Sequence, residues 1–374
     1  MRIWLAASIS PLSPGGVYRS ITGLAMELQR QGHTTRTIFS SPGRAHKRYL
    51  FSCRLALRLL FFFWKRPDWI IARSSDGLAC ALVARLFRMK TETALHNHGW
   101  EERAFAIERR LPSAVINNPT TWRGRLAGFF LLRLTLKKTD LCLCGTIDEA
   151  RWLSNRYPRI RPKLRIVPNG VPCVAQAYWP LQEELPPSIL MAGAFTWKKN
   201  LLYGIELFRR LLEKEKDARL FIVGCGPLSP QKKRLLHPLG DAVFIVDNES
   251  PERMGRWYES CPMLLLPSRY EGGRPFTILE AQSRGCTVFA SDIAAIRECI
   301  THGKTGFLLS GVNPVADAGL IASVWRNREL MRSVGQAAWK KTVRNSIRRQ
   351  GERCIAAITR HSRTQGAYQP GVIT

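Results

Sequence analysis

Two carboxylates, Glu271 and Glu280, bracket the turn Gly272-Gly273-Arg274-Pro275-Phe276-Thr277. The apolar run 263–266 reads as a buried strand, and the Gly-Gly-Arg-Pro turn cannot continue it. Residues 277–283 have helical character, and 287–290 read as the next strand. In a parallel α/β sheet the loop beyond a strand's carboxyl end faces the ligand crevice. The following helix N-terminus offers free N–H groups and a positive dipole to an anion. Carboxylates accept hydrogen bonds from hydroxyls, and hydroxyls beside a phosphate describe a sugar nucleotide. A solvated surface turn, with its second glutamate chosen for helix propensity, has the same spacing, and spacing alone does not choose between them.

Other residues offer related chemistry. Gly193 to Asn200 forms a loop after the strand 189–192 and before the helix 201–212, and it carries Lys198 and Lys199. Cations at a strand-to-helix crossing suit a diphosphate leaving group, where electrostatic stabilisation contributes most; solvated lysines are the plainer reading. Gly15 and Gly16 open the helix that follows the first strand, 3–8, and allow a ligand close to the backbone; an ordinary loop turn looks the same. His96 and His98 form a His-x-His pair with no third ligand at matching spacing, so no metal site is expected. A single histidine at the crevice, touching a sugar hydroxyl or steadying charge, is the better reading.

These residues need a sheet to hold them. Strands at 34–39, 69–72, 93–95 and 141–144 alternate with helices at 79–87 and 123–135, and Thr146 with Glu149 reads as a capping box. A Pro-rich stretch, 172–187, separates them from strands at 189–192, 220–223 and 244–246. At 374 residues the chain is long enough for two domains, and 45% hydrophobic content is ample for two cores. The 57 Lys+Arg against 28 Asp+Glu give a net charge of +29, which predicts attraction to a polyanion. Residues 44–66 are basic and strongly apolar with no acid, which suits either an anionic bilayer surface or a core helix with a cationic outer stripe. Ten cysteines without a Cys-x-x-Cys pair signal neither a disulfide framework nor a zinc site. No signal-peptide pattern opens the chain and no apolar run reaches the roughly 18 residues needed to span a bilayer, so a cytoplasmic protein is expected.

In order, several segments resemble the family 4 glycosyltransferases. They are Gly15-Gly16 with Leu24, Ala25, Leu28, Gly32 and His33; His98-Gly99; Pro168-Asn169-Gly170-Val171; the loop closing on Lys199; Ile222 to Pro227; the Glu271 to Glu280 loop; and Glu298, His302, Gly303, Thr305 and Gly306. The resemblance covers nearly the whole chain. It implies an α/β fold of GT-B type, two Rossmann-like domains facing across a cleft: an N-terminal, acceptor-side domain over 1–171, a linker over 172–187, a donor-side domain over 188–336, and a closing helix and tail over 337–374 that return to the first domain. It implies a retaining transferase with no metal or cofactor, using a UDP- or GDP-linked sugar as substrate. By the same resemblance Glu280 holds the ribose, Glu271 the donor sugar, Lys199 the diphosphate with Gly15 and Gly16, and His98 the region of the reacting carbon. Lys198, Gly272, Gly273, Arg274, Pro275, Phe276 and Thr277 complete the expected donor site. The expected partners are the donor, a saccharide or lipid-linked saccharide acceptor, and an anionic membrane surface, the last adding peripheral attachment at the inner face; nucleic acid is not expected.

Two features depart from the family pattern. Eight residues, against the usual seven, separate Glu271 from Glu280, and Ala194 stands where an arginine is common, with Lys198 or Arg274 as a replacement charge. They keep open a GT-B nucleotide-sugar epimerase and an inactive paralogue. A nucleic-acid-binding protein, suggested by charge, lacks the basic and aromatic track that function needs.

Overall fold

The computed structural model describes residues 1–10, 15–40, 48–61, 66–96, 122–175, 177, 186–193, 196–224, 230–247, 249–250 and 253–366. The chain divides into two compact units, the first from Met1–Arg103, Thr120–Gly170 and Ile347–Thr374, the second chiefly from Val171–Ser346.

The first unit runs β1 (Arg2–Ala7), α1 (Gly16–Arg30), β2 (Thr34–Phe39), α2 (Arg48–Phe61), β3 (Trp69–Arg73), α3 (Leu78–Leu86), β4 (Glu92–His96), α4 (Trp122–Lys138), β5 (Leu141–Cys144), α5 (Ile147–Arg156) and β6 (Leu164–Ile166). The six strands are parallel in the order β2-β1-β3-β4-β5-β6. Strands covered on both faces must be apolar within the layer, and β1 from Ile3, β3 up to Ala72 and all of β5 read that way. The register sets Trp4 opposite Ile70, Ala72 opposite Leu95, and Leu95 opposite Cys142. These residues share one face, where Phe51, Leu55 and Leu59 of α2, Cys80 and Ala84 of α3, and Leu132 and Leu136 of α4 pack. The opposite face, with Ile3, Leu5, Ile71 and Leu143, is covered by Ile21, Leu24 and Leu28 of α1. At the start of α5 the Thr146 hydroxyl accepts the Glu149 N–H, and the Glu149 carboxylate in return accepts the Gly145 N–H.

The second unit runs β7 (Ser188–Ala192), α6 (Leu201–Leu212), β8 (Arg219–Val223), α7 (Pro230–Leu236), β9 (Val243–Val246), α8 (Met254–Ser260), β10 (Met263–Leu266), α9 (Phe276–Ser283), β11 (Thr287–Ser291), α10 (Ala294–Arg297), β12 (Phe307–Leu309), α11 (Pro314–Arg326) and α12 (Arg328–Thr342). Its parallel sheet has the order β12-β11-β10-β7-β8-β9. The direction of winding reverses between β7 and β10, which makes the carboxyl ends of those two strands the switch point where such sheets bind ligands. Alternate residues again serve two cores: Met191, Leu265 and Phe289 meet α6, α11 and α12, while Leu190, Leu264 and Val288 meet α8, α9 and α10.

One expectation needs correction. The closing helix and tail expected over 337–374 do not begin at 337, because residues 337–342 complete α12 in the second unit. The backbone then tightens into a 3-10 turn, Val343–Asn345, turns extended at Ser346, and restarts as α13 (Ile347–Gly366). α13 belongs to the first unit. Cys354 and Ile358 join the α1 core, Gln350 accepts the Gly170 N–H at 2.9 Å, and Ser362 donates to Glu92 at 2.9 Å. Among the described residues no helix is long and apolar enough to cross a membrane.

Candidate active site

Lys199 and Glu271 come from the two loops at the switch point of the second sheet. β7 ends at Ala192. Gly193, at φ 110°, turns the chain, and Trp197–Lys199 make a 3-10 turn that closes on Asn200 in the left-handed region. That turn aims Lys199 at the neighbouring loop, where its Nζ lies 2.6 Å from Oε1 of Glu271. The Ser268 hydroxyl donates to the same oxygen at 2.6 Å. The loops are also tied by backbone, because the Arg269 N–H donates to the Lys198 carbonyl at 2.7 Å. Both charged side chains keep some exposure, 19% for Lys199 and 13% for Glu271, so the pair is sheltered yet open to a ligand.

Glu280 sits one helix away. α9 begins after Pro275, whose extended backbone supplies no side-chain cap, and its first turn carries no acid. The N–H groups of that turn therefore remain donors for an anion. Ile278, Leu279 and Ala281 bury one side of the short helix and leave Glu280 half-buried beside α8, where the Tyr258 hydroxyl donates to its Oε2 at 2.9 Å. Gln282, two residues on, is wholly structural: its amide donates to the carbonyls of Cys299 and Thr305.

The other expected residues divide. Gly272, Gly273, Phe276 and Thr277 are half-buried around the same loop, and Pro275 is buried. Lys198 lies over the Trp197 ring at 5.8 Å. Arg274 donates to Asn345 at 2.9 Å and pairs with Glu298 at 3.4 Å, so its charge is engaged in tying this loop to the end of the unit. The His302 to Gly306 run is a turn ahead of β12, with the His302 ring accepting the Leu308 N–H. Gly15 and Gly16 belong to the first unit, as N-cap and first residue of α1, and both are exposed. His98 and Ala194 lie outside the described residues. Among the described residues no group of three or more His, Cys, Asp or Glu could hold a metal ion.

Several polar residues escaped the sequence reading. Tyr258 and Ser268 each fix one of the two glutamates, and neither stands at a spacing that marks it. In the first sheet the carboxyl ends of β1 and β3 meet through Asp76, fully buried, which accepts the Ser8 N–H at 2.7 Å. His96 closes β4 beside them. Burial first, and then the Arg73 charge, pull its imidazole down to about 4, and its Nε2 has no hydrogen-bond partner among the described residues.

Residues 180–341 match the family model for glycosyl transferases group 1, and residues 14–174 match the model for glycosyltransferase family 4. The amylovoran biosynthesis glycosyltransferase of Erwinia amylovora is 30% identical over 146 residues, 37% of this chain and 35% of that protein. The D-inositol 3-phosphate glycosyltransferase of Streptomyces avermitilis is 26% identical over 220 residues, 53% of this chain and 47% of that one. The chain spans about half or less of the length of these curated relatives. In fold it is similar to the sucrose-phosphate synthase of Thermosynechococcus elongatus, with TM-score 0.74 at 16% identity, covering 98% of this chain and 100% of that one. The Anabaena HepE protein, solved with UDP-glucose, has TM-score 0.72 at 13% identity and covers 96% of this chain and 99% of its own. These likenesses give the fold as GT-B.

Proposed function

We propose that this chain, which belongs to the group 1 glycosyltransferases of family 4, moves a sugar from a nucleotide diphosphate to an acceptor hydroxyl with retention of anomeric configuration. The observation that carries the reading is the Lys199–Glu271–Ser268 cluster at the switch point of the second sheet. A cation and a carboxylate held side by side offer a sugar diphosphate what it needs: charge for its phosphates and an acceptor for its hydroxyls.

In this reading the donor's ribose hydroxyls donate to Glu280, held by Tyr258, and the diphosphate lies against Lys199 and the first turn of α9. The anomeric carbon–oxygen bond breaks as the acceptor oxygen bonds to the same carbon, and the acceptor's proton passes to the departing phosphate oxygen. Lys199 stabilises the charge that builds on the leaving group, the step where preorganised electrostatics count most. Oε1 of Glu271 already holds the Lys199 ammonium and the Ser268 hydroxyl, an arrangement suited to binding sugar hydroxyls, and attack on the face the leaving group vacates is proposed in place of a double displacement. The donor, UDP- or GDP-linked, enters as substrate, and no cofactor is proposed. The acceptor is a saccharide or lipid-linked saccharide in surface polysaccharide or glycolipid assembly, at the cytoplasmic side of a membrane. Relatives named for Vi polysaccharide and lipopolysaccharide synthesis support that acceptor class.

Thermal stabilisation of the purified protein by UDP, GDP, ADP and their sugar conjugates, beside a Glu280→Ala control, tests the donor site, because binding to the folded state alone raises the midpoint. One nucleotide is expected to raise it, and the variant to lose the effect; no shift with any of them would sink the reading. NMR of the product's anomeric proton then tests retention, and a product epimerised at the nucleotide instead of transferred would replace the transferase with an epimerase.

A further inference from the structure

The face formed by α2, α3 and α4 departs from an ordinary protein surface in its charge pattern. These helices adjoin one another on the same side of the first sheet, with α3 touching both neighbours. Their sequences contain no acidic residue, whereas α2 carries exposed Arg54 and Arg58, and α4 ends in Lys137 and Lys138. Solvent-facing helix sides usually mix both signs of charge. Here the outward side is cationic and apolar instead.

The apolar residues on that side are large. Leu57 is 50% exposed, Phe61 76%, Leu82 40%, Leu86 77%, Phe87 57% and Phe130 69%. In α2 the inward positions Phe51, Leu55 and Leu59 meet the sheet, while Arg54, Leu57, Arg58 and Phe61 follow one another at helical spacing on the outside. Arg54 and Arg58 thus alternate with exposed apolar side chains along one stripe. On α3, Leu82 and Leu86 stand one turn apart, with Arg88 and Lys90 exposed just beyond them. Scattered exposed leucines are normal, but adjoining helices that concentrate Phe and Leu among cations, without one carboxylate of their own, are not.

We propose that the α2–α3–α4 face docks on an anionic phospholipid surface, with Phe61, Leu86, Phe87 and Phe130 entering the headgroup boundary and the arginines and lysines meeting lipid phosphates. Charge complementarity selects this occupant. A second copy of a chain carrying +29 is repelled, whereas each Lys or Arg near an anionic leaflet adds attraction and each apolar side chain adds burial. The surface extends beyond the basic segment at 44–66, because Leu82, Leu86, Phe87 and Phe130 add exposed apolar side chains to it. It deepens the acceptor reading above, a lipid-linked substrate, yet rests on different residues from the donor site.

The full chain is sedimented with vesicles of phosphatidylglycerol and phosphatidylcholine in equal parts, and with phosphatidylcholine alone. Binding is expected only with the first, weakening as salt rises. The triple variant Phe61→Ser, Leu86→Ser, Phe87→Ser, and separately Arg54→Gln with Arg58→Gln, should each lower partitioning by about tenfold or more. A matched Arg348→Gln, Arg349→Gln variant on α13, removing the same charge elsewhere, should retain most of it. Equal losses in the α2 and α13 charge variants would reduce the effect to net charge and overturn the assignment. So would binding to neither vesicle, or a triple variant that changes a dimer to a monomer in gel filtration, since the face would then be a contact between copies. Sugar transfer is not read in this assay, so an absent activity and an absent docking face remain separate failures.

Discussion

Replacing Lys199 by alanine separates chemistry from stability. The ammonium lies 2.6 Å from Glu271, with 19% and 13% of the two side chains exposed, and Glu271 keeps the Ser268 bond after the change. Cutting one member of a fully buried pair costs about 3–5 kcal/mol. The remaining exposure and the surviving hydroxyl bond reduce that here to about 1–2 kcal/mol, a modest part of a stability on the order of 5–15 kcal/mol. The variant therefore stays folded at 25 °C. If Lys199 stabilises the departing diphosphate, removing it costs about as much as one preorganised donor, on the order of 10²-fold in turnover. The assay is release of nucleoside diphosphate at saturating donor, read beside a urea unfolding curve and beside Lys199→Arg, which keeps the charge. Turnover within about twofold of the parent would remove Lys199 from the mechanism. A loss matched by unfolding would leave only a structural part for it.

Three further outcomes rest on particular contacts. Tyr258→Phe removes the hydroxyl that holds Glu280; donor binding should weaken about five- to tenfold, and the penalty should vanish with a 2′,3′-dideoxy nucleotide, whereas equal loss with both nucleotides would show that Tyr258 does not act through the ribose. His96 is held neutral by burial, at about 4, while the unfolded chain takes up a proton near 6.5. The unfolded state thus binds more protons across that window, so stability present above it is lost as pH falls, by about 3 kcal/mol in total; His96→Phe should flatten this acid limb in denaturant titrations, and an unchanged limb would exonerate His96. At Gly306, φ is 141° and a Cβ would lie 2.8 Å from the Val288 carbonyl; Gly306→Ala should destabilise the second unit by about 2 kcal/mol or more, and a urea midpoint equal to the parent's would refute the clash.

Much of this molecule is legible in its residues alone. Apolar runs such as 141–144 and 263–266 announce strands buried on both faces, because a parallel sheet covered by helices has no polar side to show. The helix 201–212 appears with its expected bounds, since Leu201, Ile205, Phe208 and Leu211 fall on one stripe and Asn200 ends the preceding turn. Glu271, Glu280 and Lys199 are marked by their types beside glycine turns. The closing helix was placed too early because 337–342 is as good a helix as 347–358; the break at 343–346 comes from the chain leaving one unit for the other, which local propensity does not encode.

Local chemistry along the chain dictates an inventory: which segments alternate, where the turns fall, and which carboxylates and cations stand at strand ends. The pairings among them belong to the folded sheet. Lys199 and Glu271 are neighbours because β10 docks against β7, a contact between residues 72 apart that no local spacing reveals. Tyr258 reaches Glu280, and Arg274 turns to Asn345 and Glu298, for the same reason. Whether Phe61 and Leu86 face core or solvent is likewise settled only by register, because an amphipathic helix shows its stripes in sequence but the sheet selects which stripe is covered.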